Sequence, residues 1–299
     1  MLWSAINISE GKNLEGLHEL ARQLRETDAK LADWSADPDH HRAVFSLVGT
    51  PSQLPDAIER IFVWANENID LRRHEGEHPR LGAVDVVPFV PLSSDATAED
   101  ADHLAHSLAE HIANKFTIPI FLYRDSGQLT LPEIRRGGAA RLRERMEAGE
   151  LKPTFGPSLP HPSQGVSVFG ARTALVAFNC ITDSTDLETA KLVAKDLRAA
   201  NGGIPHLQTL AFPLASRGGV AQISMNILDP RGTPPHIAFL AVSQACAQRG
   251  MEVVSTELIG LVPQRALEDA FRHFLKLESF HSGQVAEWNL HHHHHLGEE

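Results

Sequence analysis

Read from its first residue, the chain alternates between the hydrophobic period of a strand and that of a helix. Trp3-Ser4-Ala5-Ile6-Asn7-Ile8 reads as a short strand. Asn13 then opens a helix with Leu14, Leu17, Ala21 and Leu24 on one stripe, the spacing of an amphipathic helix. A weaker strand covers residues 31–34, the polar run Asp37-Pro38-Asp39-His40-His41 is a loop, and residues 42–48 are the next strand. Pro55 begins a long helix with Ala57, Ile58, Ile61, Phe62 and Ala65 on its apolar side, and residues 84–90 give a further strand. The order is β-α-β-β-α-β. Thr97 and Asp100 are spaced as a capping pair for an additional helix with Leu104, Leu108 and Ile112 as its stripe, and residues 118–123 are again strand.

The second half runs the same way. A strand over residues 174–180 leads to Thr185-x-x-Glu188, a capping box whose helix stops at Asn201-Gly202-Gly203. Strands over 207–214 and 220–228 flank the turn Ala215-Ser216-Arg217-Gly218-Gly219. Pro234 and Pro235 start a helix that ends before Gly250, residues 253–258 are a strand, and residues 264–275 a closing helix. Two β-α-β-β-α-β units in tandem are the split-βαβ pattern, so the expected class is α+β: two ferredoxin-like subdomains with mostly antiparallel sheets and extra helices. The expected division is 1–170 and 171–282, joined in the Gly/Pro-rich stretch from Gly149 to Gly170, with 283–299 as a disordered tail.

Composition narrows the function classes. Hydrophobic residues make up 42% and charged residues 22%, enough to bury a sizeable core. The 27 Lys and Arg against 38 Asp and Glu leave a net charge of −11, which argues against nucleic acid or an anionic membrane as partner. An anionic ligand must therefore meet a local basic cluster. No apolar run approaches the roughly 18–20 residues of a membrane span, and the first residues lack the basic region and apolar core of a secretory signal. Cys180 and Cys246 sit in apolar contexts and read as two buried free thiols of a cytoplasmic protein. His291 to His295 form a run that looks like a tag or a natural end, and they are set aside from site reasoning.

Three segments could carry chemistry. Leu71-Arg72-Arg73-His74-Glu75-Gly76-Glu77-His78-Pro79-Arg80-Leu81-Gly82 packs three arginines, two histidines and two glutamates between a helix and a strand. Proline after His78 biases it away from helix. A loop-held histidine among acids and bases suits proton transfer near neutral pH, and a solvated charged connector is the plain alternative. His74 and His78 are spaced to bind zinc on a helix, but Gly76 and Pro79 break that helix, so no metal is expected. The stretch Gly156-Pro157-Ser158-Leu159-Pro160-His161-Pro162-Ser163-Gln164-Gly165 is stiff yet lets backbone approach a flat ligand closely, or is simply a linker. Gln222, Ser224 and Asn226 alternate along a strand, either as a solvent face or as the lining of a polar pocket.

Together these segments resemble the formiminotransferase domain of glutamate formiminotransferases. Asn7-Ile8-Ser9-Glu10-Gly11 resembles the family's N-F-S-E-G opening. Arg73-His74-x-Gly76-Glu77-His78-Pro79-Arg80-x-Gly82-Ala83-x-Asp85 resembles its R-H-x-G-E-H-P-R-x-G-A-x-D signature. Further similarity lies in Gly156-Pro157-Ser158 through Gly165, Ala177-Phe178-Asn179, Gln222 through Asn226, and Glu257 through Pro263, in order from about residue 5 to 275. Two departures stand out: the second aspartate of the family's D-x-D is Ser35, and the asparagine of its N-R is His41.

The resemblance implies transfer of a formimino group from N-formimino-L-glutamate to N5 of tetrahydrofolate, the co-substrate, giving 5-formiminotetrahydrofolate and L-glutamate. It assigns the catalytic general acid/base to His78, and folate contacts to Gly156 through Gly165 and to Gly202. It also implies a homodimer. Both substrates carry carboxylates, for which Arg42, Arg72, Arg73 and Arg80 are the local supply, Arg42 and Arg80 being the favoured pair. A flat pterin is expected in the crevice between the halves. A formyl-transferring relative, a non-catalytic folate-binding or regulatory protein, and a metal-dependent hydrolase are the alternatives.

Overall fold

A computed structural model describes residues 1–74, 80–93 and 96–291. The chain folds as two compact units, Met1–Thr173 and Ala174–Glu299. The first begins with β1 (Leu2–Ile8), α1 (Leu14–Leu24), β2 (Lys30–Asp37), β3 (Arg42–Gly49), α2 (Leu54–Asn68) and β4 (Val84–Pro91). It continues with α3 (Ala98–Phe116), β5 (Ile120–Leu122), α4 (Leu131–Arg135), α5 (Gly138–Glu147) and β6 (Ser167–Ala171). The second holds β7 (Val176–Thr182), α6 (Leu187–Leu197), β8 (Leu207–Leu214), β9 (Val220–Ile227), α7 (Pro235–Ala247), β10 (Val253–Ile259), α8 (Gln264–Leu275) and α9 (Ala286–His291).

The strand orders carry the duplication. The second unit's sheet runs β10-β7-β9-β8, and the first four strands of the other run β4-β1-β3-β2. Numbered within each unit, both read 4-1-3-2 with every pairing antiparallel, which is the ferredoxin-like arrangement. The first sheet is then extended beyond β4 by β6 and β5, both paired in parallel, to six strands.

Local chemistry starts α1 and α3 where the pattern indicates, whereas α6 stops at Leu197, short of the expected Asn201-Gly202-Gly203. The Asn13 side chain accepts from the Gly16 amide at 3.0 Å, and Thr97 and Asp100 close a full capping box on α3. Leu17, Leu20, Ala21 and Leu24 of α1 are buried, each leucine worth about 1.5–3 kcal/mol of transfer free energy. Leu14 stays exposed because helical rotation carries it to the margin of that arc. On α6 the cap is Asp186, which accepts from the Thr189 amide at 3.0 Å, one residue later than the expected Thr185. An aspartate available at that position offers a charged acceptor, where threonine offers only a hydroxyl.

β6 begins inside the stretch expected to be the join and runs one residue past its end at Gly170. All five of its residues are buried, so it lacks the alternation that marks a half-exposed strand. One face of the first sheet packs under α1, α2 and α3. The other face, around β4, β6 and β5, is covered by Ile134, Leu142, Met146 and Leu151 from α4, α5 and the turn that follows. Residues 283–291, expected in a disordered tail, include α9. Cys180 and Cys246 are free and buried, and burial pushes their thiols up to about 12 and about 11.

Candidate functional site

The segment between α2 and β4 is fixed at both of its described ends. Asp70 caps a 3-10 turn over Leu71–Arg73, accepting from the Arg72 amide at 3.0 Å and holding the Arg72 guanidinium through both carboxylate oxygens. Arg72 is thereby engaged locally, and its side chain is largely exposed. At the far end the Leu81 amide donates to Asp85 Oδ1 at 2.9 Å, and the other Asp85 oxygen pairs with Arg135 of α4. His78, the expected catalytic group, lies outside the described residues, as do Glu75, Gly76, Glu77 and Pro79.

The proline-rich loop is stitched to both of these ends. The Leu71 amide donates to the Ser163 carbonyl at 2.9 Å, and the Gln164 side chain donates to the Ile69 carbonyl at 2.7 Å. On the other side the Ala83 amide donates to the Gln164 carbonyl at 2.9 Å and the Val166 amide to the Leu81 carbonyl at 3.0 Å. Close approach demands glycine here. Gly165 has φ +68°, and a Cβ on it would collide with the Leu81 carbonyl; one on Gly82 would collide with the Val166 carbonyl.

Within the loop, His161 Nδ1 accepts from the Gln164 amide at 3.1 Å, which requires the neutral ring to carry its proton on Nε2. Gln164 is buried and acts as a tether, whereas Ser158, Leu159 and Pro162 are exposed. Gly202 lies in the second unit, with φ +82° and nothing within 4 Å of where its Cβ would stand.

The hairpin between β2 and β3 brings further groups to the same place. Gly11 lets it approach, since a Cβ there would clash with the Asp37 carbonyl and the Arg42 amide. Asp37 accepts from the His40 amide at 2.9 Å and from the His40 ring at 2.5 Å. Burial pushes the Asp37 carboxyl up, but those hydrogen bonds and Arg42 outweigh it and leave it below its ordinary value. His41 adopts the left-handed backbone, φ 48°, a conformation in which Asn, Asp and His are enriched among non-glycine residues. Its ring stacks on His74 with centroids 3.9 Å apart, and its Nε2 is 3.1 Å from Glu10 Oε1. Glu10 also accepts from the Lys12 and Asn13 amides at 2.7 and 2.9 Å. Burial opposes the charge on Glu10, yet these donors and His41 hold its carboxyl below the usual range.

Ile8, Ser9, His40, His41, Arg42, Arg80 and Asp85 line one small pocket. Both expected carboxylate-binding arginines therefore face the same space. Burial, with Arg135 adding, pushes the Arg42 guanidinium down to about 10, which Asp37 and Asp85 oppose, so it stays charged at neutral pH. Burial lowers Arg80 in the same direction, with Asp85 opposing. The Arg80 guanidinium contacts the His74 ring. Glu10, Asp85 and Arg135 had no assigned role in the sequence; the first two lie inside the quoted motifs, whereas nothing near Arg135 marks its partner.

In the second unit, Asn179 pairs with Ser224, and Gln222 is buried with neither amide atom hydrogen-bonded. Asn226, on the same row, is exposed. Among the described residues no group of three or more His, Cys, Asp and Glu side chains is placed to hold a metal ion.

Two family models account for nearly all of this chain: the formiminotransferase domain, N-terminal subdomain, matches residues 1–172, and the formiminotransferase domain matches residues 177–288. The chain belongs to the formiminotransferase family. The junction between the two matches falls where the two compact units meet in sequence. Among its relatives, the glutamate formimidoyltransferase of Streptococcus pyogenes serotype M1 is 35% identical over 281 residues, covering 92% of this chain and 93% of that protein. The glutamate formimidoyltransferase of Thermoplasma acidophilum is 35% identical over 288 residues, 94% of each chain. The formimidoyltransferase-cyclodeaminase of Sus scrofa is 34% identical over 91% of this chain, which corresponds to 52% of that longer protein.

Proposed function

We propose that this chain is a glutamate formimidoyltransferase that moves a formimino group from N-formimino-L-glutamate to N5 of tetrahydrofolate. The observation that carries this reading is the tethering of the Gly156–Gly165 loop to both ends of the segment containing His78. It supports a folate surface held beside a proton-transferring residue. The relatives matched along almost the whole chain bear the corresponding name.

In this reading N5 attacks the formimino carbon, forming a new N–C bond and a tetrahedral adduct. His78 takes the proton from N5 and delivers it to the glutamate nitrogen as the old C–N bond breaks, a role worth about 10²–10⁴-fold in rate. Arg42 and Arg80 hold donor carboxylate through charge-assisted hydrogen bonds. The exposed Ser158, Leu159 and Pro162 offer the pterin an apolar edge with a hydroxyl, and Gly202 adds a folate contact. Tetrahydrofolate enters as co-substrate, and no step calls on a metal.

Homodimerisation and cytoplasmic residence belong to the same proposal. Leu267, Phe271, Phe274 and Leu275 of the amphipathic α8 are exposed, an apolar patch of the kind that a second copy would cover. The two free cysteines favour a reducing compartment. No helix among the described residues is long and apolar enough to cross a membrane. Incubating the protein with both substrates tests the activity directly, by new folate absorbance and release of glutamate.

A further inference from the structure

The stacked pair His41 and His74 links a carboxylate fixed by backbone amides to an arginine facing the pocket. Glu10 is held from below by the Lys12 and Asn13 amides, at 2.7 and 2.9 Å, so it is a rigid anchor. His41 Nε2 lies 3.1 Å from that anchor, and the His41 ring lies against His74 with only 20° between the ring planes. The Arg80 guanidinium in turn contacts the His74 ring. His41 makes its contact with His74 from a left-handed backbone, φ 48°.

We propose that His41 is a positioning residue: braced by Glu10, it fixes His74 and through it sets Arg80 for the donor's carboxylate. This rests on the formimino-transfer reading given above. A guanidinium binds a carboxylate best when its planar fork is already aimed, since less side-chain freedom is then lost on binding. An ammonium or a loosely held arginine keeps the charge but forfeits the aim. The bracing acts on ground-state binding of the donor, not on proton transfer, so it belongs in KM for the donor and leaves kcat nearly alone.

The experiment is a double-mutant cycle on the full chain with His41→Asn and Arg80→Ala. Asparagine tolerates the left-handed backbone, so the hairpin keeps its conformation while the stack on His74 is lost. His41→Asn is expected to raise KM for N-formimino-L-glutamate about tenfold, with kcat changed less than about twofold and KM for tetrahydrofolate constant. In the Arg80→Ala background the same change is expected to have no further effect on donor KM, because its target is already gone. Effects that multiply in the double variant, a His41→Asn donor KM equal to wild type, or an effect confined to kcat would each overturn the inference. An inactive wild-type protein in the same assay would instead overturn the formimino-transfer reading, and the inference with it.

Discussion

Asp85 and Arg135, fifty positions apart in sequence, form an ion pair whose carboxylate also accepts the Leu81 amide at 2.9 Å. Asp85 is 3% exposed and Arg135 part-buried, so the pair fixes the Leu81 end of the segment that carries His78 with a largely desolvated ion pair. Asp85→Asn removes the charge and leaves Arg135 without its carboxylate partner. The expected cost is about 3 kcal/mol, the lower end of what breaking a buried pair costs. Urea unfolding of the variant and the wild type measures it; a change below about 0.5 kcal/mol, the surface-substitution range, would contradict the tethering role.

Gly165 and Gly202, two of the expected folate contacts, should behave differently. Gly165→Ala meets both a positive φ and the Leu81 carbonyl, and it is expected to cost about 3 kcal/mol or more and to disrupt the loop. Gly202→Ala meets only the positive φ, with open space around it, for an expected cost of about 1 kcal/mol. Thermal melts of both variants check the ranking.

Acid stability should depend on Asp37. Its carboxyl is below its ordinary value in the folded protein, so the unfolded chain binds that proton more readily. The contribution is therefore present above the unfolded pKa of about 3.9 and is lost as pH falls through the lower folded value. Asp37→Asn should reduce stability near neutral pH and flatten the decline as pH falls through about 3.9 and below. Urea midpoints across that range give the result; parallel curves for variant and wild type would remove Asp37 from the account.

Metal removal should leave turnover unchanged. With the His291–His295 run deleted, activity measured before and after dialysis against a chelator is expected to agree within about twofold, because the proposed reaction moves its proton through a histidine and calls on no metal. Restoration of lost activity by added zinc would favour a metal-dependent reaction instead.

Local signals were legible and distant ones were not. Asn13 and Thr97 are visible as caps because their partners lie three residues away, and the amphipathic period gives α8 its limits, Gln264 and Leu275. β6 escapes because burial of all its residues removes the period-two pattern. At the site, the run around His78 and the glycine-proline loop are evident from composition alone. What joins them is not: Gln164 reads as one more loop polar residue, yet its amide spans to Ile69. Arg135 pairs with Asp85, and His41 stacks on His74, only because the fold closes those distances.

The central claim is that His78 shuttles a proton during formimino transfer to a folate held by the tethered loop. The direct measurement is steady-state turnover of tetrahydrofolate and N-formimino-L-glutamate by wild type and His78→Gln, paired with folate binding to each by fluorescence. The account predicts that kcat falls about 10²–10⁴-fold while folate affinity stays within about threefold. Turnover by His78→Gln close to wild type would contradict it.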